Sequence, residues 1–233
     1  MLQERIAVIG LGYVGLPIAV ALAEKYGLTY GFDISNDRIN ELVEGFDRTM
    51  EIDQKRLSNK SLLLTSDSED LKNCSFFIVT VPTPIDDNKQ PDLSPLVAAS
   101  KLIGSVISTG SVVCYESTVY PGVTEDICGP IVAAESGLVQ GVDFKLAYSP
   151  ERINPGDKEH TISRIVKVVS GEDEDSLDRA CRVYSSIIEV GLHKAPNIKI
   201  AEAAKVLENT QRDLNIAQYQ RLNSFGLASQ LWF

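Results

Sequence analysis

Hydrophobic residues along this chain fall into short, β-branched runs, separated by stretches in which they recur every three or four positions. The runs predict strands at 5–10, 28–33, 62–65, 76–81, 112–115, 144–148 and 165–169. The intervening stretches predict helices at 14–25, 36–44, 95–107, 124–135 and 174–186. Strand–helix alternation requires crossover connections, and these give an α/β fold with a doubly wound, mostly parallel sheet. The rhythm changes after residue 196. From 197 to about 217, Ile200, Ala203, Ala204, Leu207 and Leu214 recur at helical steps, and no strand run precedes them in the usual pattern. The chain therefore divides into a sheet domain at 1–196 and a long connecting helix with its tail at 197–233.

The first strand runs into Gly10, Gly12 and Gly15, and the first helix follows. In a Rossmann-like βαβ unit such glycines make the tight turn, admit a pyrophosphate to the backbone, and let the helix pack on the strand. Unpaired N–H groups and the positive end of the helix dipole then favour an anion there. Asp33 closes the second strand, 18 residues after Gly15. Its carboxylate is placed to accept hydrogen bonds from an adenosine ribose and to repel a 2′-phosphate, so NAD is expected over NADP. The bland alternative is a packing turn with a helix-capping acid.

Three further loops carry polar or proline residues at the ends of later strands, where ligands of open parallel sheets bind. In Val81-Pro82-Thr83-Pro84 the prolines fix the backbone around Thr83, which serves a rigid exit loop equally well. Ser117 and Thr118 follow the strand at 112–115. Glu151, in the 149–156 loop, is the candidate for proton handling, although with Arg152 it reads first as a surface ion pair. Lys205 and Asn209 share one face of the long helix, where they could stabilise an oxyanion or simply face solvent.

Composition narrows the classes. The chain has 233 residues, 44% of them hydrophobic, with a formal net charge of −10. That balance suits a soluble globular protein and opposes binding to a nucleic-acid backbone. Cys74, Cys114, Cys128 and Cys181 form no Cys-x-x-Cys pair, so no metal site is expected, and they read as buried structural thiols. No basic-then-apolar leader and no bilayer-length apolar run is found, which predicts a cytoplasmic protein without membrane attachment. His160 and His193 fall in no ligand or triad pattern.

Taken in order, the Gly10–Gly15 turn, the 81–84 loop with Pro91-Asp92, Ser-Thr-Val-Tyr-Pro-Gly-Val-Thr at 117–124, Ser-Pro-Glu-Arg-Ile-Asn-Pro-Gly at 149–156 and the helix at 202–217 resemble the UDP-glucose/GDP-mannose dehydrogenase family. The wording is most similar to the bacterial branch that oxidises UDP-N-acetylhexosamines, such as UDP-N-acetylglucosamine 6-dehydrogenases of capsule pathways, and it spans about residues 5–217. The resemblance implies oxidation of a sugar C6 alcohol to a carboxylate with two NAD, through a cysteine thiohemiacetal and thioester. It implies cofactor contacts from Gly10, Gly12, Tyr13, Val14, Gly15, Asp33, Arg38, Pro82, Thr83, Ser117 and Thr118. Thr118 and Glu151 would manage the catalytic water and proton, and Lys205 and Asn209 the oxyanion. Arg212 and Asp213 would touch substrate or the partner subunit. The long helix would open a central dimerisation domain and pair two copies. The family's Gly-Gly-x-Cys nucleophile and its UDP-binding domain lie beyond residue 217 and have no counterpart here. The expectation is a front portion, truncated, that binds NAD without completing the oxidation, with 218–233 an altered tail. Two alternatives stand beside it: a complete small hydroxyacid-type dehydrogenase using Lys205, and a non-catalytic NAD-binding dimer module.

Overall fold

The computed structural model describes residues 4–85, 88–151 and 166–224. The expected element order is present. It runs β1 (Ile6–Ile9), α1 (Gly15–Lys25), β2 (Thr29–Phe32), α2 (Asn36–Val43), α3 (Gln54–Leu57), β3 (Leu62–Thr65), β4 (Phe76–Val79), α4 (Ser94–Val106), β5 (Ser111–Tyr115), a π-helical turn (Val123–Cys128), α5 (Gly129–Ser136), β6 (Phe144–Tyr148), β7 (Lys167–Gly171), α6 (Glu174–Ser185), β8 (Leu192–Lys194) and α7 (Ile198–Ser224). The strands form one sheet in the order β3-β2-β1-β4-β5-β6-β7-β8. Strand order reverses between β1 and β4, and this leaves a crevice at their carboxyl ends.

Strands β1, β4 and β5 are buried along their whole length, because helices cover both faces of the sheet. Alternate residues go to opposite sides. Ile6, Val8, Ile78 and Cys114 join Leu16, Ile18 and Leu22 of α1 and Val183 and Tyr184 of α6 in one core. Ala7, Ile9, Phe77, Val79 and Val113 pack on the other face against Leu96 and Ile103 of α4, Val132 of α5, and Ile198 and Ala201 of α7. Each such aliphatic or aromatic side chain contributes about 1.5–3 kcal/mol of burial, so the sheet is a stiff platform for the loops at its edge.

Four departures from the sequence reading have local causes. The strand expected at 165–169 runs from Lys167 to Gly171 and pairs antiparallel with β6, Ala147 opposite Gly171 and Tyr148 opposite Ser170; residue 165 lies outside the described residues. A short strand, β8, does precede the long helix and pairs parallel with β7. Its three residues, Leu-His-Lys, are too few and too exposed to show a period. The helix expected at 124–135 is a π-helical turn continued by α5, with Pro130 near the join. The long helix passes the expected end near 217 and reaches Ser224. Residues 225–233, most of the expected tail, lie outside the described residues, as do Arg152 and His160. Among the described residues no helix is long and apolar enough to cross a membrane.

Candidate functional site

The glycine turn at the end of β1 is built by three close contacts. Gly10 takes φ +94°, a left-handed backbone that favours glycine, and its N–H donates to the Phe32 carbonyl at 2.8 Å. The Thr80 hydroxyl, just past β4, donates to the carbonyls of Ile9 at 3.0 Å and Gly10 at 2.8 Å. A Cβ on Gly15 would lie 1.9 Å from the Gly10 oxygen and 2.3 Å from the Thr80 hydroxyl, so Gly15 lets α1 settle against the turn. Gly12 differs, because a Cβ there would meet nothing within 4 Å among the described residues. Protein packing therefore does not require glycine at 12, and the open space above it suits a group that comes from outside.

The neighbouring groups fit a dinucleotide. Helix α1 starts after Val14 with no capping side chain, whereas Ser35, Asp53 and Asp173 cap α2, α3 and α6. Its positive N-terminal end is thus free of a side-chain cap beside Gly12, where a diphosphate is favoured. Asp33 receives the Leu11 N–H on one oxygen and the Ser35 N–H on the other, each at 2.9 Å. Each carboxylate oxygen keeps a lone pair for a ribose hydroxyl. The Thr83 hydroxyl oxygen is buried and has no hydrogen-bond partner among the described residues, and Thr83 lines the same cleft. A buried hydroxyl of this kind is satisfied by a ligand's polar group.

The cleft holds about 690 Å³ and gathers most of the residues expected from the sequence. Gly10, Gly12, Tyr13, Val14, Asp33, Pro82, Thr83 and Ser117 line it together with Thr118, Glu151, Lys205 and Asn209. Two expected cofactor residues stand elsewhere. Gly15 lies behind the turn. Arg38 is buried, its Nε donating to the Leu11 carbonyl at 2.9 Å and a terminal nitrogen to Asp47 at 2.7 Å. It therefore braces the turn from behind and does not line the cleft. The Ser117 hydroxyl donates to the Val81 carbonyl at 2.5 Å, tying two cleft loops together. Lys205 donates to the backbone carbonyl of Glu151, and Arg212, which also lines the cleft, donates to the Asn209 side-chain oxygen.

Behind Glu151 lies a charged cluster that residue types alone did not single out. Glu116, 1% exposed, receives the Lys167 ammonium at 2.8 Å and the Tyr184 hydroxyl. The same ammonium lies 3.5 Å from the Glu151 carboxylate. Burial pushes Glu116 up to about 7; Lys167 opposes that rise and Glu151 adds to it. Burial alone would lower Lys167, but Glu116 and Glu151 outweigh it and raise its pKa. One ammonium thus serves two carboxylates, and the more deeply buried acid titrates late. Thr80, Glu116 and Lys167 were missed as site residues. The available signal was a polar side chain at the end of an apolar strand run for Thr80 and Glu116, and a lone lysine inside such a run for Lys167.

Ligands of doubly wound sheets bind where strand order reverses, and this cleft, open at the β1–β4 switch, is that of a dinucleotide-binding domain of the dehydrogenase type. More narrowly, the chain belongs to the UDP-glucose/GDP-mannose dehydrogenase family, whose NAD binding domain matches residues 4–188. It is 55% identical over 223 residues to a UDP-N-acetyl-D-glucosamine 6-dehydrogenase of Pseudomonas aeruginosa, covering 95% of this chain and 53% of the relative. To one of Salmonella typhi it is 51% identical over 221 residues, covering 94% and 52%. The solved UDP-D-ManNAc dehydrogenase of Pyrococcus horikoshii superposes with a TM-score of 0.87 at 35% identity, over 94% of this chain and 53% of that one. The chain spans about half the length of the curated relatives it matches.

Proposed function

We propose that this chain is the NAD-binding portion of a nucleotide-sugar 6-dehydrogenase acting on a UDP-N-acetylhexosamine, with UDP-N-acetylglucosamine the first candidate. The observation that carries the reading is the single cleft in which the open space over Gly12 and the Asp33 carboxylate meet Thr118, Glu151, Lys205 and Asn209. The identity of more than 50% to two UDP-N-acetyl-D-glucosamine 6-dehydrogenases supports the choice of sugar. NAD, when bound, accepts hydride from the sugar C6. Gly10, Gly12, Tyr13 and Val14 receive its diphosphate end, and Asp33 the adenosine ribose. Pro82, Thr83 and Ser117 border the nicotinamide end. Glu151 takes the proton released as the alcohol is oxidised, and Thr118 orients the water for the later hydrolysis. Lys205 and Asn209 stabilise negative charge on the C6 oxygen.

The thiol step has no donor in this cleft. All four cysteines are described, and none lines it. Burial pushes the thiols of Cys74 and Cys114 up to about 12 and that of Cys128 to about 11, and it raises Cys181 as well. None supplies a thiolate near neutrality. The chain alone therefore binds NAD without carrying the sugar to the acid. Exposed Leu207, Leu214, Ile216 and Tyr219 on α7 support pairing of two copies through that helix. The free thiols suit a reducing cytoplasm, and the resemblance to capsule-pathway enzymes makes a surface-polysaccharide precursor the expected product of the longer protein.

Calorimetric titration of the 233-residue chain with NAD should give one site per chain, and incubation with NAD and UDP-N-acetylglucosamine should then give no uronic acid product. No heat with NAD would remove the cofactor reading. Accumulation of the uronic acid would remove the claim that a thiol is lacking.

A further inference from the structure

The direction of β7 brings a buried cation to the ligand edge of the sheet. A parallel β7 would have its first residue at the far edge. Because β7 runs antiparallel to β6, counting on from Tyr148 opposite Ser170 sets position 151 opposite Lys167. The Ser149 hydroxyl donates to the Val168 carbonyl at 2.7 Å, and Ser170 donates to the Tyr148 carbonyl at 2.9 Å, so this junction is stitched on both sides. We propose that Lys167 is a positioning residue for Glu151: its ammonium, anchored on Glu116, holds the Glu151 carboxylate at the cleft as the proton acceptor. The inference rests on the reading of Glu151 given above.

The anchoring is specific. Lys167 is 5% exposed, and its ammonium lies 2.8 Å from Glu116 and 3.5 Å from Glu151. It also sits 5.1 Å from the Tyr184 ring centroid, a cation–π distance. Tyr184, from α6, donates to Glu116 and lies 3.4 Å from the Cys114 sulfur. Among the described residues, the titratable groups that crowd Glu116 and Lys167 beneath Glu151 are Cys114 on β5, Tyr148 on β6 and Tyr184 on α6. Lys205 on α7 reaches the Glu151 main chain, while the Lys167 ammonium lies beside its carboxylate. A cation that close favours the ionised carboxylate, the form that accepts a proton.

The test follows the Glu151 carboxyl carbon by NMR in glutamate-labelled 233-residue chain, assigned with Glu151→Gln, while calorimetry records NAD affinity on the same samples. Lys167→Met should raise the Glu151 titration midpoint by about one pH unit, a tenfold gain in proton affinity, with NAD binding retained. Lys167→Arg should restore most of the shift. An unmoved midpoint in Lys167→Met overturns the proposal, and so does a rise that arginine fails to reverse, which assigns the effect to packing. If Lys167→Met does not fold, the double variant Glu116→Gln/Lys167→Met carries the same prediction without a stranded buried carboxylate. Failure of the wild-type chain to bind NAD would strike the cofactor reading, while the carboxyl titration would still decide the role of Lys167.

Discussion

At the scale of single residues, two glycines five positions or fewer from the same turn have separable jobs. Gly15 has no room for a methyl group, since its Cβ would sit 1.9 Å from the Gly10 oxygen. Gly15→Ala should therefore force α1 off the strand and cost about 1–3 kcal/mol, as overpacking does. Gly12 borders open space, so Gly12→Ala should leave the thermal midpoint within about one degree, or raise it slightly by stiffening the unfolded chain. NAD affinity should fall in both, because a methyl at 12 occupies the approach to the backbone amides. Thermal melts with NAD calorimetry on the two variants would check this. A Gly12→Ala chain that binds NAD like wild type would mean that the diphosphate lies elsewhere.

At the scale of elements, α7 is joined to the sheet domain by a buried carboxylate. Glu202 is 0% exposed and receives the N–H groups of Gly122 at 2.6 Å and Thr124 at 3.0 Å. These begin the π-helical turn, which starts on Gly122 at φ +101° with no capping side chain of its own. The cap comes instead from α7, one helical turn before Lys205. The contact holds the helix that carries Lys205 and Asn209 against the loop that carries Ser117 and Thr118. Glu202→Gln keeps an acceptor but loses the charge, and it should cost about 1.5–3 kcal/mol, the range for hydrogen bonds to charged groups. Urea unfolding would show it as a lower midpoint with the same slope. An unchanged midpoint would mean that the packing of Ile198 and Ala201 and the Lys199 and Lys205 contacts hold α7 without Glu202.

For the whole molecule, the buried cluster sets how stability follows pH. Glu116 has an ordinary value of 4.5 and a folded value of about 7, raised by burial. The folded chain then binds the proton more tightly than the unfolded one. The stability this adds is complete below about 4.5 and is lost as pH rises through about 7. Asp47 and Asp173 act oppositely. Burial raises both, but hydrogen bonds outweigh it, from Thr49 and Arg38 at Asp47 and from Lys145 and Ser176 at Asp173, which falls to about 2. Their contribution is present above 3.8 and is lost in stronger acid. The thermal midpoint should therefore peak near about pH 4.5–5 and decline toward about pH 7.5, and Glu116→Gln should flatten that decline. Calorimetric scans across this range would show it, and a midpoint that rises from pH 5 to 7.5 would contradict it.

Whatever depends on neighbours in sequence was legible in this chain before its structure. Short apolar, β-branched runs located the central strands, which are buried on both faces, and helical periods located the helices, where one buried face repeats at a fixed step. The glycine turn and Asp33 were readable because a βα turn is a local device with fixed spacing; the joint role of Thr118, Glu151, Lys205 and Asn209 came only from the resemblance to the dehydrogenase family, since their residue types alone read as an ion pair and a solvated helix face. Strand direction leaves no such period. The antiparallel β7, and with it the arrival of Lys167 beside Glu151, was settled by how the sheet packs. The same holds for Arg38 turning to Leu11 and Asp47, for Thr80 latching the turn, and for Glu202 capping a turn 80 residues earlier. A polar side chain shows its chemistry in the sequence, but its partner is chosen only when distant segments share one buried space and every charge within it must find a counterpart.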